Sequence, residues 1–484
     1  MMGEPRHMLS PEIRRWRLAP DAWRLSGRVT LGRLERYLRY RSARGLPASM
    51  KARFLAIGIP RATIDDVLGD IHSLSGWMDA WNLAAQRFLT EARGEERAGR
   101  WQEAAIARIN AAMCFHIAHL VTDSDPRILR TLRASSVTTF AQAVPRAMPT
   151  VRRYSLPWRT RSLPAYLSIP TAGKGPFPLL ILLNGATTCK EELMLWSPPL
   201  VQAGVAVLAV DWPGTGESAS FTSPLADCDD LTDSVFELAA EHDDLDPHMV
   251  AVGGVSVGGG LAVRCAAYDR RLIGAMAITP PYDPLAWWQY ANPLVRMQLL
   301  TLAATHENPE DVVADFDLTG LAGRLQSPLL VFGAGRDLVV PPEESVALAA
   351  RLGDLATLVW YPEGGHGLYG EMDDWLALTA AWINGLVDRN AEPAIESDDV
   401  TPVVYQDELD DELPPDPYPV FVDSNQDEIQ EMANAATPSA SKVGKYAEST
   451  RVDENEVPAS LIEPESPREA DKSDDDDFDD LWDQ

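Results

Sequence analysis

One stretch of the sequence is suited to nucleophilic catalysis, Gly254-Val255-Ser256-Val257-Gly258. A serine flanked by glycines at this spacing fits a sharp turn from a strand into a helix, where larger side chains would collide with neighbouring backbone. Such a turn presents the hydroxyl of Ser256 at the start of the helix, where the helix dipole favours a developing negative charge. The pattern predicts that Ser256 is a nucleophile; the alternative is a glycine-rich turn with an incidental serine.

A serine hydroxyl needs a general base, and the sequence offers eight histidines. Only His366 lies in a glycine-rich loop after the last apolar run, within Pro362–Gly367. His116 and His119 fall in a predicted helix, where we expect packing or surface roles. We therefore predict that His366 is the base, against the alternative of an ordinary loop histidine.

The histidine in turn needs a carboxylate that fixes its tautomer and stabilises its protonated form. Asp337 follows the apolar run 329–332 in the segment Gly333–Asp337, which places it just beyond a strand end. Asp283, which follows the preceding run, is the rival. We predict Asp337, because Ser256, Asp337 and His366 then occur in a chain order known for serine hydrolases.

Two backbone N–H groups should stabilise the oxyanion. One is that of Val257, next after the nucleophile. The other belongs to the loop after the first predicted strand, where Ala186 is our choice and Thr187 the second. Two nearby segments receive structural interpretations: Lys190–Glu192 as a solvated helix start, and Asp211–Ser218 as a loop that shapes the floor of the site.

These residues must be positioned by alternating strands and helices. Six short apolar runs are typical of strands buried on both faces: 179–183, 205–210, 249–252, 275–278, 329–332 and 358–361. Helical candidates lie between them: 191–203, 229–241, 257–268, 343–352 and 373–386. The alternation predicts the α/β class, with a doubly wound, mostly parallel sheet. Residues of about 282–325 are predicted to be a helical cap insertion, whose Trp287, Trp288 and Tyr290 either contact a flat substrate or pack the cap onto the core.

The rest of the chain divides by composition. Residues 1–148 are predicted to be a helical N-terminal lid domain, with helices over Ile64–Ala92 and Trp101–Val121 separated near Gly94. The catalytic domain should span 149–390. Residues 391–484 carry 29 Asp and Glu against 5 Lys and Arg, and we expect an acidic disordered tail.

Charge and composition exclude several function classes. The net charge of −30 argues against nucleic-acid binding, and the four scattered cysteines indicate neither a disulfide scaffold nor a metal site. The sequence shows neither a signal peptide nor an apolar run of membrane-spanning length, so we expect a cytoplasmic protein that does not bind membranes. We expect no cofactor. A homodimer and a protein partner for the tail are both compatible with the sequence.

The motifs together resemble the α/β-hydrolase superfamily over roughly 163–388. Within it, the chain resembles a group with a helical N-terminal domain that includes 2,6-dihydroxypseudooxynicotine hydrolase, fungal heptaketide-shortening (naphthopyrone) hydrolases and esterases like the fermentation–respiration switch protein. The stretches that carry the resemblance are Asn184-Gly185 with Lys190-Glu191-Glu192, Asp211–Ser218, Gly254–Gly259 with Arg264, Gly333–Asp337 and Gly365–Gly367.

The resemblance implies cleavage of an ester, or of a carbon–carbon bond beside a ketone, in an aromatic or polyketide-like small molecule. We therefore predict a cofactor-free serine hydrolase that uses Ser256, His366 and Asp337 through an acyl-enzyme. The alternative is a regulatory or scaffold protein with a vestigial hydrolase core, whose tail docks a partner.

Overall fold

A computed structural model describes residues 26–121, 126–220, 228–301 and 309–391. The predicted acidic tail and the first 25 residues lie outside the described residues. None of the described helices is long and apolar enough to cross a membrane.

Helices form the described part of the chain before residue 148. They are α1 (Leu31–Arg41), α2 (Ala48–Ala56), α3 (Arg61–Asp70), α4 (Ser75–Arg97), α5 (Trp101–Ala118) and α6 (Pro126–Ala147). The predicted helix over Trp101–Val121 is confirmed, but the one over Ile64–Ala92 is wrong, because the chain breaks between Asp70 and Ser75. Gly94 does not separate two helices: α4 continues past it, and the turn comes at Gly99, whose φ of 76° is left-handed and suits glycine.

An eight-stranded sheet follows, in the order β1-β2-β4-β3-β5-β6-β7-β8. Its strands are β1 (Val151–Trp158), β2 (Arg161–Ser168), β3 (Phe177–Leu183), β4 (Ala206–Val210), β5 (Leu245–Val255), β6 (Gly274–Ile278), β7 (Leu329–Ala334) and β8 (Ala356–Tyr361). The six predicted strands are confirmed as β3 to β8, and they pair in parallel. The sequence analysis missed β1 and β2, an antiparallel pair at the edge, because each contains a proline and neither is a continuous apolar run.

The remaining helices connect and cover these strands. They are α7 (Lys190–Trp196), α8 (Pro198–Gln202), α9 (Leu231–Glu241), α10 (Val257–Tyr268), α11 (Pro293–Thr301), α12 (Pro309–Ala314), α13 (Glu343–Leu352) and α14 (Met372–Ala391). The predicted cap is represented by α11, α12 and short 3-10 turns between β6 and β7. The carboxyl ends of β3 to β8 meet at one edge of the sheet, so the residues that follow these strands are brought together.

The hydrophobic core lies on both faces of the sheet. One cluster joins inward-facing strand residues to the helical region, as where Phe140 of α6 lies 5.5 Å from the ring of Tyr166 in β2. The other cluster fills the opposite face. Because the helical region shares a core with the sheet, it is an integral layer of the described fold, and the boundary near residue 148 stays a prediction.

Candidate active site

Ser256 lies in a strained turn at the end of β5. Its φ of 56° and ψ of −127° are unusual for a residue with a side chain, and its N–H donates to the carbonyl of Ile278 at 2.8 Å. A Cβ on Gly254 would lie 2.4 Å from the Gly258 carbonyl oxygen, and one on Gly258 would lie 2.3 Å from that of Asn184. The backbone therefore requires glycine on both sides of the serine, as expected for a nucleophile elbow.

Asp337 and His366 are in direct contact. The Nδ1 atom of His366 lies 2.7 Å from Oδ2 of Asp337. The other carboxylate oxygen accepts hydrogen bonds from the N–H groups of Val339 at 2.7 Å and Val340 at 2.9 Å. Asp337 is buried, so its orientation is fixed by these bonds. The rival Asp283 instead accepts from the N–H of Ala286, where it caps a 3-10 turn.

The histidine loop is held beside the serine turn. The N–H of Gly367 donates to the hydroxyl of Thr279 at 3.2 Å, and Thr279 follows the strand residue, Ile278, that accepts from Ser256. The structure thus brings Asp337 and His366 together and places Ser256 at the same edge of the sheet. Direct proton transfer between Ser256 and His366 stays a prediction.

The loop after β3 is packed against the nucleophile. A Cβ on Gly185 would lie 3.4 Å from the Cβ of Ser256. The N–H of Gly185 is occupied by the hydroxyl of Thr188 at 2.6 Å, and Asn184 donates to the Thr188 carbonyl at 2.8 Å. The next residue, Ala186, lines a cavity together with Ser256 and Val257. The oxyanion-stabilising roles of Ala186 and Val257 stay a prediction.

The cavity above Ser256 is mostly apolar and has a volume of about 30 Å³. Trp287 is buried, lines the cavity and also belongs to the hydrophobic core, so both roles that the sequence left open stay compatible with its position. Tyr290 is 51% exposed, and Trp288 packs against the hydrophobic core. Sequence reasoning missed further lining residues, because apolar side chains in a cap carry no chemical signature. These are Pro281, Pro284, Val295, Gln298, Phe316, Val339 and Val340.

Two ion clusters lie beneath the loop after β3. The first, here the core cluster, consists of Lys190, Glu191, Asp211 and Glu217. The Nζ of Lys190 lies 2.5 Å from Glu191, 3.0 Å from Asp211 and 2.9 Å from Glu217. Burial lowers the pKa of Lys190, but Asp211 and Glu191 outweigh burial and raise it well above its usual value. The ammonium therefore stays charged in the interior.

The second, here the interface cluster, consists of Arg53, His116, Glu192 and Thr187. Arg53 of α2 binds both oxygens of Glu192, at 2.9 and 2.8 Å, and donates to the carbonyl of Thr187 at 2.7 Å and to its hydroxyl at 3.1 Å. His116 of α5 contacts the same carboxylate at 3.0 Å. The helical region is thereby bonded directly to the loop that carries the predicted oxyanion donor.

The prediction of a solvated helix start at Lys190–Glu192 is wrong. All three residues are at most 1% exposed. Their partners Asp211, Arg53 and His116 are distant in sequence, and no local pattern indicates that they meet. Among the described residues, no group of three His, Cys, Asp or Glu is arranged to hold a metal ion.

Comparisons with known proteins bear on the fold first. The crystal structure of 2,6-dihydroxy-pseudo-oxynicotine hydrolase superposes with a TM-score of 0.62 at 21% identity, covering 70% of this chain and 96% of that one. The chain has the α/β-hydrolase fold. A second structure, AbyA5, superposes on this chain with a TM-score of 0.55 at 21% identity, covering 75% of the chain and 100% of the other. Both coverages exceed the length of residues 149–390, so the shared fold includes part of the helical region.

Sequence comparisons agree with this fold. Residues 192–389 match the prolyl oligopeptidase family, and this segment contains Ser256, Asp337 and His366. A 2,6-dihydropseudooxynicotine hydrolase of Paenarthrobacter nicotinovorans is 27% identical over 46% of this chain and 59% of its own length. The hydrolase pyiE of Pyricularia grisea is 30% identical over 47% of the chain and 55% of its own length. The chain thus spans less than two thirds of these relatives.

Proposed function

We propose that the chain is a serine hydrolase that cleaves an ester, or a carbon–carbon bond next to a ketone, in an aromatic or polyketide-like small molecule. The observation that carries the proposal is the 2.7 Å contact between His366 and Asp337 at the sheet edge that also holds the strained Ser256. The relatives named as hydrolases support the same reaction class.

The proposed reaction begins when His366 accepts the proton of Ser256 and the serine oxygen attacks a substrate carbonyl. The N–H groups of Val257 and Ala186 stabilise the oxyanion, and Asp337 stabilises the imidazolium. Collapse of the tetrahedral intermediate breaks the bond to the leaving group, an alkoxide or a ketone-stabilised carbanion, and His366 protonates it. Water, activated by His366, then hydrolyses the acyl-enzyme and regenerates the serine hydroxyl.

The apolar lining of the cavity beside Ser256 favours a small apolar group of the substrate at this position. Trp287, Phe316 and Val295 from the cap segment face the cavity that Ser256 enters. Apolar walls exclude bulk water, which strengthens the oxyanion hydrogen bonds. This supports a small-molecule substrate; the choice between ester and carbon–carbon cleavage depends on whether the leaving carbanion can delocalise.

The decisive experiment labels the protein with a fluorophosphonate and locates the adduct by mass spectrometry. We expect phosphonylation at Ser256, slow labelling of His366→Ala, and none of Ser256→Ala. Turnover of 4-nitrophenyl butyrate should fall by about 10³-fold or more in Ser256→Ala. Asp283→Asn is the matched control for Asp337→Asn, and only the latter should impair turnover strongly.

Activity of Ser256→Ala within tenfold of the unmodified protein would overturn the proposal. Labelling of His366→Ala at the full rate would remove His366 as the base. A parallel screen of aryl esters and β-diketones, with products identified by mass, then decides between the two bond types.

A further inference from the structure

A second, polar cavity adjoins the loop after β3. It has a volume of about 20 Å³, and Ala186 lines both this cavity and the one above Ser256. A space of this size admits a group about as large as one water molecule. Its walls come from the helical region and from the core, including His119 and Arg133 on one side and Thr187 and Cys189 on the other.

Arg133 is the unusual member of this cavity. Its Nε atom is buried without a hydrogen-bond partner, and no carboxylate of the described residues lies within ion-pair distance of its guanidinium. A cation removed from water without a partner is costly and is normally paired. Burial lowers the pKa of Arg133 from its usual value, and the negative charge of Asp211 offsets this only in part.

His119 adds a second unsatisfied polar atom. Its Nδ1 is buried without a hydrogen-bond partner among the described residues. Burial, together with the charges of His116 and Arg133, lowers the pKa of His119 well below its usual value, and the backbone of His116 opposes this to a smaller extent. The ring is therefore neutral at neutral pH and is able to donate one hydrogen bond without adding charge.

Two carboxylates, Glu191 and Glu217, line the cavity as well, and neither forms an ion pair with Arg133. Glu191 and Glu217 both pair with Lys190, and Glu217 also pairs with Arg153 at 2.5 Å. Burial raises the pKa of the Cys189 thiol well above its usual value, so this thiol stays uncharged. The unpartnered Nε of Arg133 is thus a donor that lacks an acceptor in this cavity, next to carboxylates that are held by Lys190.

From this geometry we infer that the cavity is a subsite for an anionic oxygen of the substrate, with Arg133 as its ion partner and His119 as a further donor. The inference rests on the proposed function and deepens it. The oxygen belongs either to a carboxylate or to the enolate of a β-diketone. Its position beside Ala186 would orient the substrate carbonyl toward Ser256.

The test compares two esters that differ in charge, 4-nitrophenyl butyrate and 4-nitrophenyl hydrogen glutarate, in the full chain. In Arg133→Gln, kcat/KM for the glutarate ester should fall by about 10- to 100-fold, the usual range for a lost hydrogen bond to a charged group. The value for the butyrate ester should stay within about twofold, and Arg133→Lys should recover most of the loss. Arg130→Gln, an exposed arginine on the same helix, is the matched control.

A separate measurement, the cleavage of 1-phenylbutane-1,3-dione, tests whether the bound oxygen is that of an enolate. If Arg133→Gln lowers kcat/KM for the diketone alone, the subsite binds an enolate oxygen. If it lowers kcat/KM for the glutarate ester alone, the subsite binds a carboxylate. Protection of Ser256 from fluorophosphonate by benzoate, compared with benzamide, gives a readout that does not need turnover.

The inference would be overturned if Arg133→Gln lowered kcat/KM equally for all substrates. It would also be overturned if kcat/KM did not change and benzoate protected Ser256 no better than benzamide. Labelling of Ser256 at an unchanged rate in Arg133→Gln would then show that the hydrolase proposal survives. Failure to label Ser256 in the unmodified protein would instead defeat the proposed function.

Discussion

Glu191 and Glu192 are adjacent in sequence and equally buried, yet they serve different parts of the molecule. Glu191 pairs with Lys190, its own neighbour, inside the core cluster. Glu192 faces the helical region and binds Arg53 and His116. Two consecutive residues of α7 thus have different partners: the carboxylate of Glu191 lies in the core cluster, and that of Glu192 contacts the helical region.

The difference shows that the helical region does more than cover the site. Arg53 uses one guanidinium to bind Glu192 and to hold Thr187, next to the predicted oxyanion donor Ala186. The same helix, α2, approaches the histidine loop, since a Cβ on Gly365 would lie 2.4 Å from the Cβ of Ser49. One helix outside the sheet therefore contacts both loops on which the proposed chemistry depends.

The largest effect should come from breaking the core cluster. Lys190→Met removes the only cation that contacts both Glu191 and Asp211 among the described residues, leaving buried carboxylates unpaired. Breaking a buried pair from one side costs about 3–5 kcal/mol. We expect the free energy of unfolding, measured in urea, to fall by about that amount.

Lys174→Met changes an exposed lysine and is the control, expected to leave stability nearly unchanged. A loss below about 1 kcal/mol in Lys190→Met, the level of a surface ion pair, would contradict a structural role for the core cluster.

Breaking the interface cluster should affect catalysis as well as stability, since it leaves the buried Glu192 with His116 as its partner. Arg53→Met removes the bonds to Thr187, and small displacements of catalytic loops are costly. We expect kcat for 4-nitrophenyl butyrate to fall by about 10- to 100-fold with a smaller change in KM, and fluorophosphonate labelling of Ser256 to slow in parallel.

Arg53→Lys keeps the charge but not the forked geometry, so it should recover the activity only in part. Arg61→Met, at an exposed position of the next helix, is the control. If Arg53→Met changed KM alone, the positioning role of the helical region would be wrong.

The two clusters also mark what sequence could and could not predict. The elbow at Ser256 and the loops of Asp337 and His366 are local patterns attached to parallel strands, whose carboxyl ends must share one edge. The clusters depend instead on contacts between distant residues: Glu192 lies 139 positions from Arg53 and 76 from His116. A charged Lys-Glu-Glu run favours a solvated surface on average, and only the tertiary fold shows that its partners are buried with it.

The smallest expected effect is a difference between the two clusters in how their contribution to stability depends on pH. Burial raises the pKa of Glu192, but Arg53 and His116 outweigh burial and lower it below its usual value. This carboxylate therefore contributes stability that is complete above the unfolded pKa of about 4.3 and is lost as pH falls through its folded value. In the core cluster, Lys190 similarly lowers the pKa of Glu191, whereas burial raises that of Asp211, so the two responses to acid oppose each other.

Acid should consequently weaken the interface cluster more than the core cluster. Glu192→Gln should lose stability less steeply than the unmodified protein between about pH 5 and pH 3, by about 1 kcal/mol per pH unit at most. Urea unfolding at several pH values measures this, with Glu237→Gln, at an exposed helix position, as the control. If the stability of Glu192→Gln and that of the unmodified protein changed in parallel with pH, Glu192 would titrate as it does in the unfolded chain. The contrast between the two neighbouring carboxylates would then not extend to their response to pH.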